Sequence, residues 1–100
     1  MDIPHLLVES GAVVIRPDEP FTYASGIKSP IYCDNRLLLA RADWRRLVTD
    51  GFAAVAGGFP GVEVIAGTAT AGIPWATALA DRLELPLCYI RAAAKEHGKG

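Results

Sequence analysis

The stretch between residues 63 and 90 leaves few folds open to this chain. A short apolar strand is expected over residues 63–66, running into a loop of small residues over 67–72. A helix follows over Ile73–Leu83, presenting Trp75, Ala76, Leu79, Ala80 and Leu83, and then a strand over Leu87–Ile90. Strand, helix and strand in that order, joined by short turns, read as a right-handed βαβ unit feeding a parallel sheet. A further helix over residues 43–56 precedes it. Trp44, Leu47, Val48, Phe52 and Val55 fall on one face, and Arg45, Arg46, Thr49 and Asp50 on the other. The second half is therefore α/β.

The first half differs. A short helix is expected over residues 3–10, with Pro4 tolerated in its first turn and Gly11 as its stop. An apolar run over 12–15 leads into a turn over 16–20 that Pro17 and Pro20 keep irregular. Residues 21–24 and 31–34 look like paired strands flanking Ser25-Gly26-Ile27-Lys28-Ser29-Pro30. The expected organisation is a single domain, with a hairpin-bearing hood over 1–40 and the start of an α/β core over 41–100.

At 100 residues the chain is long enough for one small domain, and 51% of it is hydrophobic. That excess predicts apolar faces covered by further sequence or a second subunit. The net charge of −1 gives no global field to attract nucleic acid, so any preference for anions must be local. Cys33 and Cys88 have no metal-type or CxxC spacing and read as buried thiols of a cytoplasmic protein. No apolar run reaches 18 residues, so neither a membrane span nor membrane association is expected.

Three segments could carry chemistry. After the last strand come Arg91, Lys95, His97 and Lys99, ending in glycines. Cations on a hinged loop could close over a polyanion; the plainer alternative is a solvated basic tail. The loop Gly67-Thr68-Ala69-Thr70-Ala71-Gly72 stands where an open parallel sheet binds ligands, before a helix whose N–H groups and dipole favour an anion. On spacing alone it reads more readily as a tight turn, being neither GxGxxG nor a Walker loop. Lys28, near the turn that Gly26 permits, reads alone as solvated surface. Asp34-Asn35-Arg36 reads as a structural ion pair.

Taken together, Ser25-Gly26-x-Lys28-Ser29-Pro30-Ile31-Tyr32-Cys33-Asp34-x-Arg36, then the loop with Ile73-Pro74, then Tyr89-Ile90-Arg91-x-x-x-Lys95-Glu96-His97-Gly98-x-Gly100 resemble orotate phosphoribosyltransferase, in order and spacing from about Phe21 onward. The resemblance implies a type I phosphoribosyltransferase-like fold, incomplete in this chain: a parallel sheet with flanking helices and an N-terminal hood. It implies transfer of ribose 5-phosphate from phosphoribosyl pyrophosphate to orotate, with Mg²⁺ as cofactor, in a cytoplasmic homodimer whose subunits share the active site. Lys28, Lys95 and His97 would be catalytic. Arg91, Lys95, His97, Thr68, Ala69, Thr70, Ala71 and Gly72 would hold the donor's pyrophosphate, with a non-proline cis peptide at Ala69–Thr70.

The chain departs from that pattern in three places. Ala71 stands where many members carry a lysine, and Ala92, Ala93 and Ala94 are uncharged where many carry a further cation. The family's acidic donor signature, an apolar strand followed by two acids and a Thr-x-Gly loop, is not found. Asp18-Glu19 is bracketed by prolines and is a turn; the signature is expected beyond Gly100. Two other classes therefore stay in view: a non-catalytic nucleotide- or phosphate-binding module, and an inactive dimerising fragment.

Overall fold

A computed structural model describes residues 2–93. These divide between two compact units, Met1–Leu47 and Val48–Gly100.

In the first unit, helix α1 (Ile3–Glu9) begins where the Asp2 carboxylate accepts the backbone N–H of His5 at 3.0 Å, with Pro4 in the first turn. Its Leu6 is wholly buried and forms the core of this unit with Ala12 and Leu38. Strand β1 (Val13–Ile15) follows, then β2 (Phe21–Thr22), β3 (Lys28–Ser29) and β4 (Ile31–Cys33). The pairing corrects the sequence reading. Residues 31–34 do not pair with 21–24; β4 lies antiparallel to β1, with Val13 opposite Cys33 and Ile15 opposite Ile31. Phe21 and Thr22 instead face Ser29 and Lys28. The reason is local. Gly26 N–H donates to the Tyr23 carbonyl at 2.8 Å and Tyr23 N–H to the Ile27 carbonyl at 2.9 Å, closing the hairpin before Pro30. Pro30 has no N–H for the same ladder, but its carbonyl accepts from Arg16 N–H at 2.6 Å, directing β4 onto β1.

Asp34 then caps a 3-10 helix (Asn35–Ala40), accepting Arg36 N–H at 3.1 Å. The expected ion pair is present: Arg36 Nε and Nη2 reach the two Asp34 oxygens at 2.8 and 3.0 Å. The guanidinium's side-chain hydrogen bonds, above all, hold the Asp34 carboxyl below the usual carboxylate range.

Helix α2 (Ala42–Ala56) bridges the boundary between the units. Its buried residues are Val48 and Thr49, whereas Phe52 and Val55 are exposed. The expected apolar face is thus only partly used, and Thr49, assigned to the polar face, is buried.

In the second unit, β5 (Ile65–Thr68) starts two residues later than expected, so Gly67 and Thr68 end a strand instead of opening a loop. Helix α3 (Ile73–Leu83) and strand β6 (Leu87–Ile90) lie where the pattern predicts. Strands β5 and β6 pair in parallel, with Ile65 opposite Leu87 and Gly67 opposite Tyr89. The core is Ile65, Ala76 and Ala80, flanked by Leu79, Leu83 and Leu85. Helix α3 can lie this close because Gly67 has no side chain: a Cβ there would stand 2.7 Å from Ala76 Cβ and 2.8 Å from the Gly72 carbonyl oxygen. Neither cysteine is buried as expected. Both Cys33 and Cys88 are free and exposed, each on a two-stranded ribbon. Among the described residues no helix is long and apolar enough to cross a membrane.

Candidate functional site

The second unit gathers its candidate residues where both parallel strands end. Beyond β5 the chain turns through residues 69–72. Ala69 N–H donates to the Ile90 carbonyl at 2.8 Å, fixing the loop to the end of β6. Gly72 N–H returns to the Thr68 carbonyl at 2.8 Å, and Ile73 N–H to Thr70 at 3.2 Å. The Ala69–Thr70 peptide bond is cis, as the motif implied. Gly72 is as confined as Gly67, since a Cβ would stand 2.7 Å from the Thr68 carbonyl oxygen. The glycines at both ends of the loop are therefore required by close backbone approach. That is the steric content of the small-residue pattern.

Helix α3 begins at Gly72, which offers no side chain to cap the first turn, and Pro74 stands within that turn. The Gly72 and Ile73 N–H groups are spent within the turn and Pro74 has none, so it is chiefly the positive dipole end of α3 that faces the loop and suits an anion. Beside it a pocket of about 470 Å³ is lined by Ala69, Thr70 and Ile73 on the loop side and by Tyr89, Arg91, Ala92 and Ala93 on the other. Arg91 lies just past β6, with its guanidinium carbon 5.9 Å from the centre of the Tyr89 ring. Thr70 adds a hydroxyl, and Thr68 and Ala71 are exposed at the loop's base and top. A fork-shaped cation, a hydroxyl and a helix N-terminus around one pocket can bind phosphate oxygens.

Of the predicted site residues, the structure thus brings Arg91, Ala69 and Thr70 to one pocket, with Thr68, Ala71 and Gly72 in the adjoining turn. Lys28 belongs to the first unit, exposed on β3 opposite Thr22. Lys95 and His97 lie outside the described residues. Tyr89 and Ile73 were quoted in the motif without a role, yet both line the pocket. Its place two residues before Arg91 in the motif could have drawn attention to Tyr89.

No protein-family model matches the chain. An orotate phosphoribosyltransferase from Bacillus caldolyticus is 56% identical over 100 residues, covering 99% of this chain and 48% of that protein. The crystal structure of orotate phosphoribosyltransferase from Aeropyrum pernix superposes with a TM-score of 0.78 at 36% identity, over 95% of this chain and 52% of that one. The Leishmania donovani UMP synthase structure gives 0.74 at 35% identity, over 96% of this chain and 22% of that one. The chain spans about half the length of the curated relatives it matches. In sequence and in fold it is similar, over nearly its whole length, to orotate phosphoribosyltransferases, and it carries the corresponding part of the type I phosphoribosyltransferase fold.

Proposed function

We propose that this chain forms the pyrophosphate-binding part of an orotate phosphoribosyltransferase. The protein would transfer ribose 5-phosphate from phosphoribosyl pyrophosphate to a ring nitrogen of orotate, giving orotidine 5′-monophosphate and pyrophosphate on the way to UMP. The observation that carries this reading is the pocket shared by Arg91 and the Ala69–Thr70 turn at the N-terminus of α3. It stands in a chain 56% identical to an enzyme of that name.

The chemistry follows from where charge moves. Breaking the C1′–O bond leaves positive charge on the ribose and negative charge on the departing pyrophosphate. Arg91 meets the phosphate oxygens with paired N–H donors, and the loop and helix N–H groups add fixed dipoles. Lys95 supplies a point charge and His97 a hydrogen bond or proton near neutral pH; Lys28, from the hood, serves the orotate and ribosyl side. Contacts that strengthen as the pyrophosphate leaves lower the barrier more than they tighten substrate binding. Closure of the segment bearing Lys95 and His97 would also exclude water.

Mg²⁺ is the proposed metal. Among the described residues no group of three or more His, Cys, Asp or Glu could hold a metal ion. This ion is commonly held by substrate phosphates and water with few protein ligands. A cytoplasmic homodimer with a shared site completes the proposal, in keeping with exposed Phe52, Val55 and Phe59.

The test is turnover of orotate and phosphoribosyl pyrophosphate with Mg²⁺ by the full-length protein. Turnover abolished by Lys95→Ala, with folding retained, is the expected result. Pyrophosphate binding without turnover would instead indicate a binding module, and neither activity an inactive fragment. Added salt should raise the KM for phosphoribosyl pyrophosphate, because the contacts are ionic.

A further inference from the structure

We propose that Tyr89 is a positioning residue for Arg91: its ring holds the guanidinium at the mouth of the pocket before the donor arrives. The inference rests on the pyrophosphate-binding reading above and adds a residue to it. Tyr89 is in the last pair of residues of β6 and Arg91 follows the strand directly, close enough for the guanidinium to stand over the ring. Both line the pocket that Ala69, Thr70 and Ile73 close from the other side. The register sets Tyr89 opposite Gly67, a position without a side chain, so nothing on β5 at that level crowds the ring. The guanidinium carbon stands over the ring at 5.9 Å from its centre, at the outer edge of the range in which cation and ring attract.

That contact suits the task. Arg91 is exposed, and an exposed arginine loses much rotamer freedom when it grips a phosphate. A cation already confined against a ring loses less. A cation drawn toward the ring keeps its N–H donors available for the oxygens of the donor. Tyr89 would thus tighten donor binding without touching the reacting atoms, and its hydroxyl is not required for that role.

Steady-state kinetics of the full-length protein with phosphoribosyl pyrophosphate varied provide the test. Tyr89→Leu should raise the KM for that donor about two- to fivefold, the range of an exposed cation–ring contact, with kcat little changed. Tyr89→Phe keeps the ring and should raise KM less than Tyr89→Leu does. In an Arg91→Ala background, Tyr89→Leu should have no further effect, because the group that it positions is gone. The inference is overturned if Tyr89→Leu leaves KM unchanged, if Tyr89→Phe is as damaging, or if the effect persists without Arg91. Should Tyr89→Leu fail to fold, Tyr89→Met asks the same question with another apolar side chain. Wild-type protein without turnover would overturn this inference together with the function it rests on. An active wild type with an indifferent Tyr89→Leu overturns this inference alone.

Discussion

The two units hold their candidate residues in opposite ways. In the second, the loop after β5 is fixed from beneath by backbone: Gly67 and Gly72 leave no room for a methyl group, and Ala69 and Gly72 donate to carbonyls of β6 and β5. In the first, Lys28 sits on a two-residue strand of an open hairpin, steadied by side chains stacked along its flank. The Arg16 guanidinium lies 4.0 Å above the Phe21 ring, Phe21 tilts against Tyr32 at 5.3 Å, and the Tyr23 hydroxyl donates to the Ile31 carbonyl at 2.5 Å. A loop that offers backbone N–H groups to a phosphate needs its main chain held, since a small displacement misplaces every donor at once. A lysine that acts as a point charge on a long stem tolerates a looser support. The support in each unit matches what its candidate residues would have to do.

The sharpest way to break this comparison is to add one carbon atom beneath the loop. Gly67→Ala would bring Cβ against a backbone oxygen and a helix methyl, so strand and helix must part. A cost of about 1–3 kcal/mol is expected, typical of overpacking. Denaturant unfolding measures it, and faster amide exchange at Ala69 and Gly72 should localise it. Ala76→Gly in the same molecule should restore only part of the loss, because the Gly72 oxygen stays in place. Wild-type stability in Gly67→Ala would mean that the loop is not packed as described.

The equivalent change in the hairpin should cost less. Gly26 has φ +88°, but a Cβ there meets nothing within 4 Å. Only the conformational penalty applies, partly offset because an alanine also restricts the unfolded chain, so Gly26→Ala should lose about 1 kcal/mol, at the low end of the range for Gly67→Ala. Exchange should quicken at Tyr23 and Gly26 and stay unchanged at Ala69 and Gly72. A loss as large as that of Gly67→Ala would erase the distinction between the two units.

Legibility from sequence follows the same division. Helix α3 and strand β6 were readable to the residue, because a strong apolar period is bounded by Gly72 and Pro74 at one end and by Pro86 before the strand. The hairpin strands were visible but their partners were not. Whether residues 31–34 pair with 21–24 or with the run before them depends on where the chain turns and on the N–H that Pro30 lacks, not on the apolar pattern of either run. Composition likewise misplaced the cysteines. Cys88 lies in an apolar run, yet every residue of β6 is exposed, with β5 as its one paired neighbour among the described residues. At the site, the loop and Arg91 were legible as a motif. What Tyr89 does for Arg91 depends on three-dimensional placement that a motif does not carry.

The smallest expected effect belongs to the first unit and is a dependence on pH. Side-chain hydrogen bonds from Arg36 hold Asp34 below the usual carboxylate range, and those from Arg41 do the same for Asp43. Asp2 is lowered mainly by the backbone N–H of His5. A carboxyl whose folded pKa is depressed binds its proton more readily in the unfolded chain. Its stabilising contribution is therefore full above the unfolded value of about 3.9 and is lost as pH falls through the folded one. Asp2 and Asp43 are exposed and Asp34 is partly buried beside an exposed Arg36, so the acid limb should be shallow and weaken further with added salt. Asp34→Asn keeps an oxygen to accept Arg36 N–H at the start of the 3-10 helix but removes the charge. Melting temperature followed downward from pH 6 should fall less steeply in Asp34→Asn than in wild type, with exchange changing around Arg36 and not at the loop before α3. Parallel acid limbs in the two proteins would mean that the Asp34–Arg36 pair does not steady the hood in solution, leaving the stacked rings and the Gly26 turn to hold Lys28 in place.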